Sequence, residues 1–235
     1  MLQMVGFDAD DTLWRSQEYF DAAQAEFESI LAAYLDIHDR RVHEELLATE
    51  RRNIRLYGYG AKGMTLSMLE TAIALTAERI SAADLHRVLA IGRSVLEHPV
   101  ELLPGVREAV EEVGAEFEVV LITKGDLFHQ ERKVAESGLG SLFRRIEIVS
   151  EKDEASYARL LREFDLPAER FAMVGNSLRS DIEPVLNLGG AGVHVPYSTT
   201  WALETEHAVD EKHPRLRIVQ HATEIAATLR ELAAA

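Results

Sequence analysis

The chain of 235 residues contains no cysteine, which excludes disulfides and thiolate metal sites and fits a reducing compartment. No run of about 18 apolar residues occurs, so no membrane-spanning helix is expected. The first residues lack the basic and apolar segments of a secretory leader, and a cytoplasmic location is the expectation. Basic residues are scarce, 25 against 40 acidic ones, giving a formal charge of −15. Such a surface repels nucleic-acid phosphate and anionic membranes at long range, and neither is an expected partner. An anionic substrate would need a local positive site, from a metal or a well-placed lysine. Repeats and low-complexity tracts are absent, and the nine histidines show no paired spacing suited to zinc.

What is present is enough apolar material, 47% of residues, for a core in one large domain or a core plus a smaller second one. The apolar run Leu2 to Phe7 reads as a buried strand. A long helical stretch follows. Phe20, Ala23, Phe27, Ile30, Leu31 and Tyr34 mark a first helix, and Val42, Leu46, Leu47 and Ile54 a less regular second. Leu66, Leu69, Ile73 and Ile80 mark a third. Ser81-Ala-Ala-Asp84 caps a fourth, through Leu85, Val88, Leu89 and Val95. Four helices without a strand predict a small bundle.

From Gly105 the texture alternates. Strands are expected at Phe117–Ile122, Ile146–Val149, Phe171–Val174, Val193–Val195 and Leu216–Val219. Helices are expected at Val106–Val113, Glu131–Ser137, Asp153–Phe164, Ile182–Leu188 and Ala222–Leu232. This predicts an α/β fold: a Rossmann-like parallel sheet covered on both faces, with a helical bundle inserted after the first strand. The expected division is a core of residues 1–15 and 100–235 and an insert of residues 16–99.

Polar clusters follow the strands. Asp8 and Asp10 come after the first and Thr123-Lys124-Gly125-Asp126 after the second. Ser150-Glu151-Lys152-Asp153 comes after the third and Gly175-Asn176 through Asp181 after the fourth. In open α/β sheets the ligand crevice lies outside the carboxyl ends of the strands, so all four clusters fall on one functional edge. At Asp8 and Asp10, one carboxylate can attack or bind a metal while the other moves protons. The plainer reading of that pair alone is an Asx-rich turn ending a strand.

With these partners the sequence resembles the haloacid dehalogenase-like hydrolase superfamily over nearly its whole length. Asp8-x-Asp10-x-Thr12 matches its first signature, Thr123 the second, Lys152 the third and Gly175 through Asp181 the fourth. Leu103-Pro-Gly-Val106 and the stretch Lys133 to Phe143 also match, and the helical insert corresponds to its cap domain. The resemblance implies that Asp8 attacks phosphorus to form an aspartyl-phosphate. It implies that Asp10 protonates the leaving oxygen and then activates water. Asp8, the Asp10 carbonyl and Asp181 would hold Mg²⁺. Thr123 would donate to phosphoryl oxygens, and Lys152 would offset repulsion between Asp8 and an anionic substrate. Asn176 stands where many relatives carry a second acid and would bind a metal-coordinated water. Lys124 either faces solvent or contacts substrate. Asp11 reads as a turn residue, Asp153 as a helix cap or a partner of Lys152, and His194 and Trp201 as structural.

Gly58-Tyr-Gly60-Ala-Lys62-Gly63 matches a dinucleotide-binding pattern but follows a helix, which is the wrong context. It reads either as a connector or as a loop whose Tyr59 and Lys62 select substrate. Arg51, Arg52 and Arg55 read as a solvated helix face. The expected activity is Mg²⁺-dependent hydrolysis of a small phosphorylated metabolite. A phosphomutase or 2-haloacid dehalogenase of the same superfamily, and a non-catalytic binding module, are the alternatives. Asp10 argues against the dehalogenase, which normally lacks that acid. The sequence does not indicate an oligomeric state.

Overall fold

Met4-Val5-Gly6-Phe7 forms β1 (Met4–Phe7), buried along its whole length in the computed structural model, which describes residues 1–35 and 41–234. It is central because parallel strands flank it on both sides. These are β2 (Glu118–Lys124), with Phe7 opposite Leu121, and β4 (Phe171–Gly175), with Phe7 opposite Val174. With β3 (Arg145–Val149), β5 (Ala191–His194) and β6 (Leu216–Ile218), the order is β3-β2-β1-β4-β5-β6, every pairing parallel.

Strand alternation sends Val5, Phe7, Val119, Leu121, Ala172 and Val174 to one face. There they pack with α5 (Val106–Gly114) and α9 (Ile225–Ala234). Met4, Val120, Ile122, Phe171 and Met173 go to the other face, against Tyr157, Leu160 and Leu161 of α7 (Glu154–Glu163) and Val185 of α8 (Glu183–Asn187). Both faces are covered, which is why these strands read as continuous apolar runs. Gly6 has no room for a side chain: a Cβ there would stand 2.8 Å from both the Met173 sulfur and the Phe171 ring.

Contacts divide the chain into two compact units. One holds Met1–Gln17, Val100–Lys124 and Gln130–Ala235; the other holds Glu18–Pro99 and Gly125–His129. The second unit is built from α1 (Gln17–Leu31), α2 (Arg41–Tyr57), α3 (Ala61–Leu75) and α4 (Ala82–Glu97), around Phe27, Ile30, Leu31, Leu46, Met68, Val88 and Ile91. Ser81 caps α4 as expected, its hydroxyl accepting from Asp84 N at 3.0 Å. Among the described residues no helix is long and apolar enough to cross a membrane.

Several expected details are corrected. Helix α3 buries Met64, Met68 and Ala72 together with Gly63, Thr65, Ser67 and Thr71, whereas Leu66 and Ile73 are exposed. The helix closes at Thr76 and two left-handed residues, Ala77 and Glu78, precede Ile80, which therefore lies outside it. The buried stripe of α2 is Val42, Leu46, Thr49 and Asn53, half polar, which explains its irregular periodicity. The helix expected at Ile182–Leu188 is present as the short α8, and a π-helical turn, Leu178–Ile182, leads into it.

Candidate active site

The strand β1 fixes the first carboxylate. Asp8 N continues the sheet pairing by donating to Val174 O at 2.9 Å, and the side chain is buried. The chain then turns sharply: Leu13 N donates to Ala9 O, and Asp11 adopts φ 60°, in the left-handed region that Asp tolerates. The Asp11 carboxylate accepts from Ser16 N at 2.9 Å and Gln17 N at 3.0 Å, so it caps the start of α1. Thr12 links this turn to the end of β4, its hydroxyl accepting from Asn176 N at 3.0 Å.

Lys152, just after β3, places its ammonium between Asp8 Oδ1, which it touches closely, and Asp181 Oδ1 at 2.7 Å. All three residues are buried. Asp181 sits in the π-helical turn, a distortion frequent at functional sites, and its Oδ2 accepts from Ser177 N at 3.0 Å. Gly175 lets it approach, because a Cβ there would lie 2.2 Å from Asp181 Oδ2. One ammonium cannot compensate two carboxylates. Burial, then the Asp181 charge, push the Asp8 carboxyl up to about 7 despite Lys152. Burial opposes charge on Lys152 as well, but Asp181 and Asp8 outweigh it and hold its pKa above the ordinary lysine value.

Asp10 has a different environment. Its Oδ1 accepts from Lys133 Nζ and Trp14 Nε1, each at 2.6 Å, and its Oδ2 from Gln130 Nε2 at 3.2 Å. Burial alone would raise this carboxyl, yet Lys133 and the two further donors carry it below the usual carboxylate range. Two carboxyls two residues apart are thus driven in opposite directions, Asp8 towards its protonated form and Asp10 towards its ionised one. Gln130 Nε2 also donates to Thr123 Oγ1 at 2.8 Å.

Thr123 and Lys124 are the last residues of β2 rather than the loop after it. Strand alternation separates them. Thr123 joins Gln130, whereas the Lys124 ammonium meets Glu204 Oε1 at 2.5 Å and Ser180 Oγ at 2.9 Å. Asp153 caps α7, accepting from Ser156 N at 2.8 Å. His194 holds the Asn176 carbonyl through Nε2 at 3.0 Å, and burial lowers its pKa, so it is a neutral structural residue.

Asn176 bears on cation binding. Its amide oxygen position is 3.2 Å from Thr12 Oγ1, Asp8 Oδ2 and the Asp10 carbonyl; turning the amide would let its nitrogen donate to all three. With oxygen in that place, a carboxylate, a carbonyl and an amide oxygen converge. Among the described residues no three His, Cys, Asp or Glu side chains group to hold a metal. The donor set is instead two carboxylates, Asp8 and Asp181, with neutral oxygens. It fits a small hard cation that keeps several waters, as Mg²⁺ does, and not zinc.

Tyr59 lies in the three-residue link between α2 and α3, where Gly58 and Gly60 adopt positive φ. Lys62 is in the first turn of α3, not in a loop, and pairs with both oxygens of Asp126 at 2.9 and 3.0 Å. Both belong to the helical unit. Sequence reasoning missed Trp14, Gln130 and Glu204, and it named Lys133 only as the start of a family-like stretch, without a role. Gln130 and Lys133 left a trace, being spaced three apart so as to share a helix face, whereas Glu204 left none.

The sequence model described as haloacid dehalogenase-like hydrolase matches residues 2–189. The chain is similar to a solved haloacid dehalogenase-like family hydrolase from Xanthomonas campestris: 56% identity, 99% of this chain, 92% of that one, TM-score 0.89. A 2-haloacid dehalogenase from Pseudomonas syringae shares the fold at 17% identity, 98% and 99% coverage and TM-score 0.63. So does a predicted phosphoglycolate phosphatase from Haemophilus somnus, at 17% identity, 97% and 98% coverage and TM-score 0.62. No curated protein matches the chain.

Proposed function

This chain belongs to the haloacid dehalogenase-like hydrolases, and from that premise we propose that it is a Mg²⁺-dependent phosphatase of small phosphomonoesters. The observation that supports this reading is Asp10, a second carboxyl beside Asp8 that three donors hold in place. Displacing a halide requires no proton on the leaving group, so a dehalogenase has no use for such an acid. Displacing an alkoxide does require one.

In the proposed reaction an Asp8 oxygen attacks phosphorus and the bond to the ester oxygen breaks. Asp10, which its donors keep ionised in the free site, takes up a proton beside the anionic substrate and gives it to that oxygen. Water then attacks the aspartyl-phosphate, its proton passes to the Asp10 carboxylate, and the bond from phosphorus to Asp8 breaks to release phosphate. Lys133 favours the ionised Asp10, the form left after the first half and required at the start of the second. Lys152 and Thr123 address the phosphoryl oxygens. Asp8, the Asp10 carbonyl and Asp181 would hold Mg²⁺, with Asn176 bearing on a bound water; the ion would screen the negative charge of the phosphoryl group. Substrate choice is assigned to the helical unit, with Tyr59 and Lys62 as candidates. The acidic surface favours a small metabolite over a nucleic acid.

The test is product release from phosphomonoesters and from 2-chloropropionate, with Mg²⁺ or with a chelator. Asp8→Asn should lower phosphate release by at least about 10³-fold with unchanged circular dichroism. Asp10→Asn should impair alkyl phosphates much more than nitrophenyl phosphate, whose leaving group needs no proton. Chloride release would favour the dehalogenase, and an isomerised phosphate product the mutase.

A further inference from the structure

Lys124 follows Thr123, yet its charge is already engaged. Glu204 Oε1 lies 2.5 Å from its ammonium, Ser180 Oγ 2.9 Å and Glu151 Oε1 3.6 Å. Two of these neighbours adjoin site residues in sequence, Glu151 before Lys152 and Ser180 before Asp181. Glu204 comes from elsewhere. It ends a 3₁₀ turn, Ala202–Glu204, in the excursion between β5 and β6, outside the residues matched by the family model.

Both oxygens of Glu204 are used. Oε1 takes Lys124, and Oε2 accepts from Ser177 Oγ at 2.6 Å and Ser180 Oγ at 2.5 Å. The two side chains are only 16% and 12% exposed. Burial would raise the Glu204 carboxyl, but Lys124 and the two hydroxyls hold it below its ordinary value. An ion pair this shielded is screened little by solvent, and a phosphoryl group would have to displace Glu204 to recruit Lys124.

We infer that Glu204 is a specificity-determining residue, which by pairing with Lys124 withholds that cation from the phosphoryl group and leaves Lys152 and Thr123 to bind it. The inference rests on the phosphatase reading. Its consequence is a site suited to phosphomonoesters that carry no second anionic group beside the phosphoryl. Such a site also holds the product phosphate loosely enough to release it.

The experiment titrates inorganic phosphate into the full chain by calorimetry, at fixed Mg²⁺ and ionic strength. Glu204→Gln keeps the side-chain shape and an acceptor for the serines but releases Lys124, and should bind phosphate about tenfold more tightly than the wild type. Glu204→Asp, one methylene shorter, should show a smaller gain, and it serves if the glutamine variant fails to fold by circular dichroism. In a Lys124→Met background, Glu204→Gln should bring no gain. Unchanged or weaker binding in the Glu204 variants would overturn the inference. So would a gain that persists without Lys124, since it would then reflect only the removal of a negative charge. A wild type that binds no phosphate would overturn the phosphatase reading along with it, and that result is seen before any variant is compared.

Discussion

Asp8 and Asp181 share a single ammonium, and the cost of that arrangement falls on Asp8. Its carboxyl stands near 7 in the folded protein against 3.8 as the ordinary value, so the folded state binds this proton more tightly than the unfolded chain does. The associated stability is fully present below about pH 4 and is lost as pH rises through 7. Asp8→Asn removes that loss. In chelator at pH 8 the inactive variant should melt roughly 3–8 °C above the wild type, and the gap should shrink towards pH 5. Thermal denaturation at the two pH values measures it; a variant less stable at pH 8 would refute the assignment of Asp8 as the uncompensated group. Asp8, Thr123, Lys152 and Asp181 were legible in the sequence because each lies at or near the carboxyl end of a strand, where topology brings it to one edge. Lys133 and Gln130 were hidden on a helix that also supplies Val134 to the core. Nothing local announces that Glu204 will meet Lys124, because long-range polar contacts have no period.

At the scale of elements, the strands were the most legible part, since a parallel sheet buried on both faces writes itself as short apolar runs. The helices of the second unit were legible in number but not in facing. Helix α3 packs through Gly63, Thr65, Ser67, Thr71 and Ala72, small residues whose hydrophobicity is too weak to mark a stripe, while its Leu66 and Ile73 point outward. Two of the buried hydroxyls are satisfied inside the helix, Thr65 Oγ1 to Ala61 O at 2.6 Å and Ser67 Oγ to Gly63 O at 2.9 Å, so these two pack without needing solvent, whereas Thr71 Oγ1 is buried with no partner among the described residues. Small residues allow close helix approach, and Gly92 of α4 marks the tightest point: a Cβ there would stand 1.9 Å from Thr65 Oγ1. Gly92→Ala should therefore destabilise the helical unit by about 1–3 kcal/mol through overpacking, although alanine is the better helix former. Urea denaturation should show a lower midpoint, and Thr65→Ala should restore part of it in the double variant. A Gly92→Ala variant as stable as the wild type would mean that the helices separate at little cost.

For the molecule as a whole, the formal charge of −15 sets the terms of encounter with an anion. Lys152 and Lys133 are committed to carboxylates, so little positive potential extends beyond the site. Salt should then help rather than hinder. Raising ionic strength from about 10 to 200 mM at constant Mg²⁺ should increase kcat/KM for a phosphomonoester by about two- to threefold, as the repulsion is screened. Initial rates at low substrate concentration measure this, and a fall would show that local cations dominate the approach. The central position of β1 carries a further consequence, for assembly in time. Met4 pairs with Glu118 on one side and Phe171 on the other, so the earliest strand made must wait for two partners made much later. Contacts so distant in sequence are closed late in folding, after the loop entropy between them has been overcome. The residue that follows β1 is Asp8. A nascent or partly folded chain therefore holds its proposed nucleophile on an unpaired strand, without Lys152 or Asp181 beside it, and the site is assembled only with closure of the whole sheet.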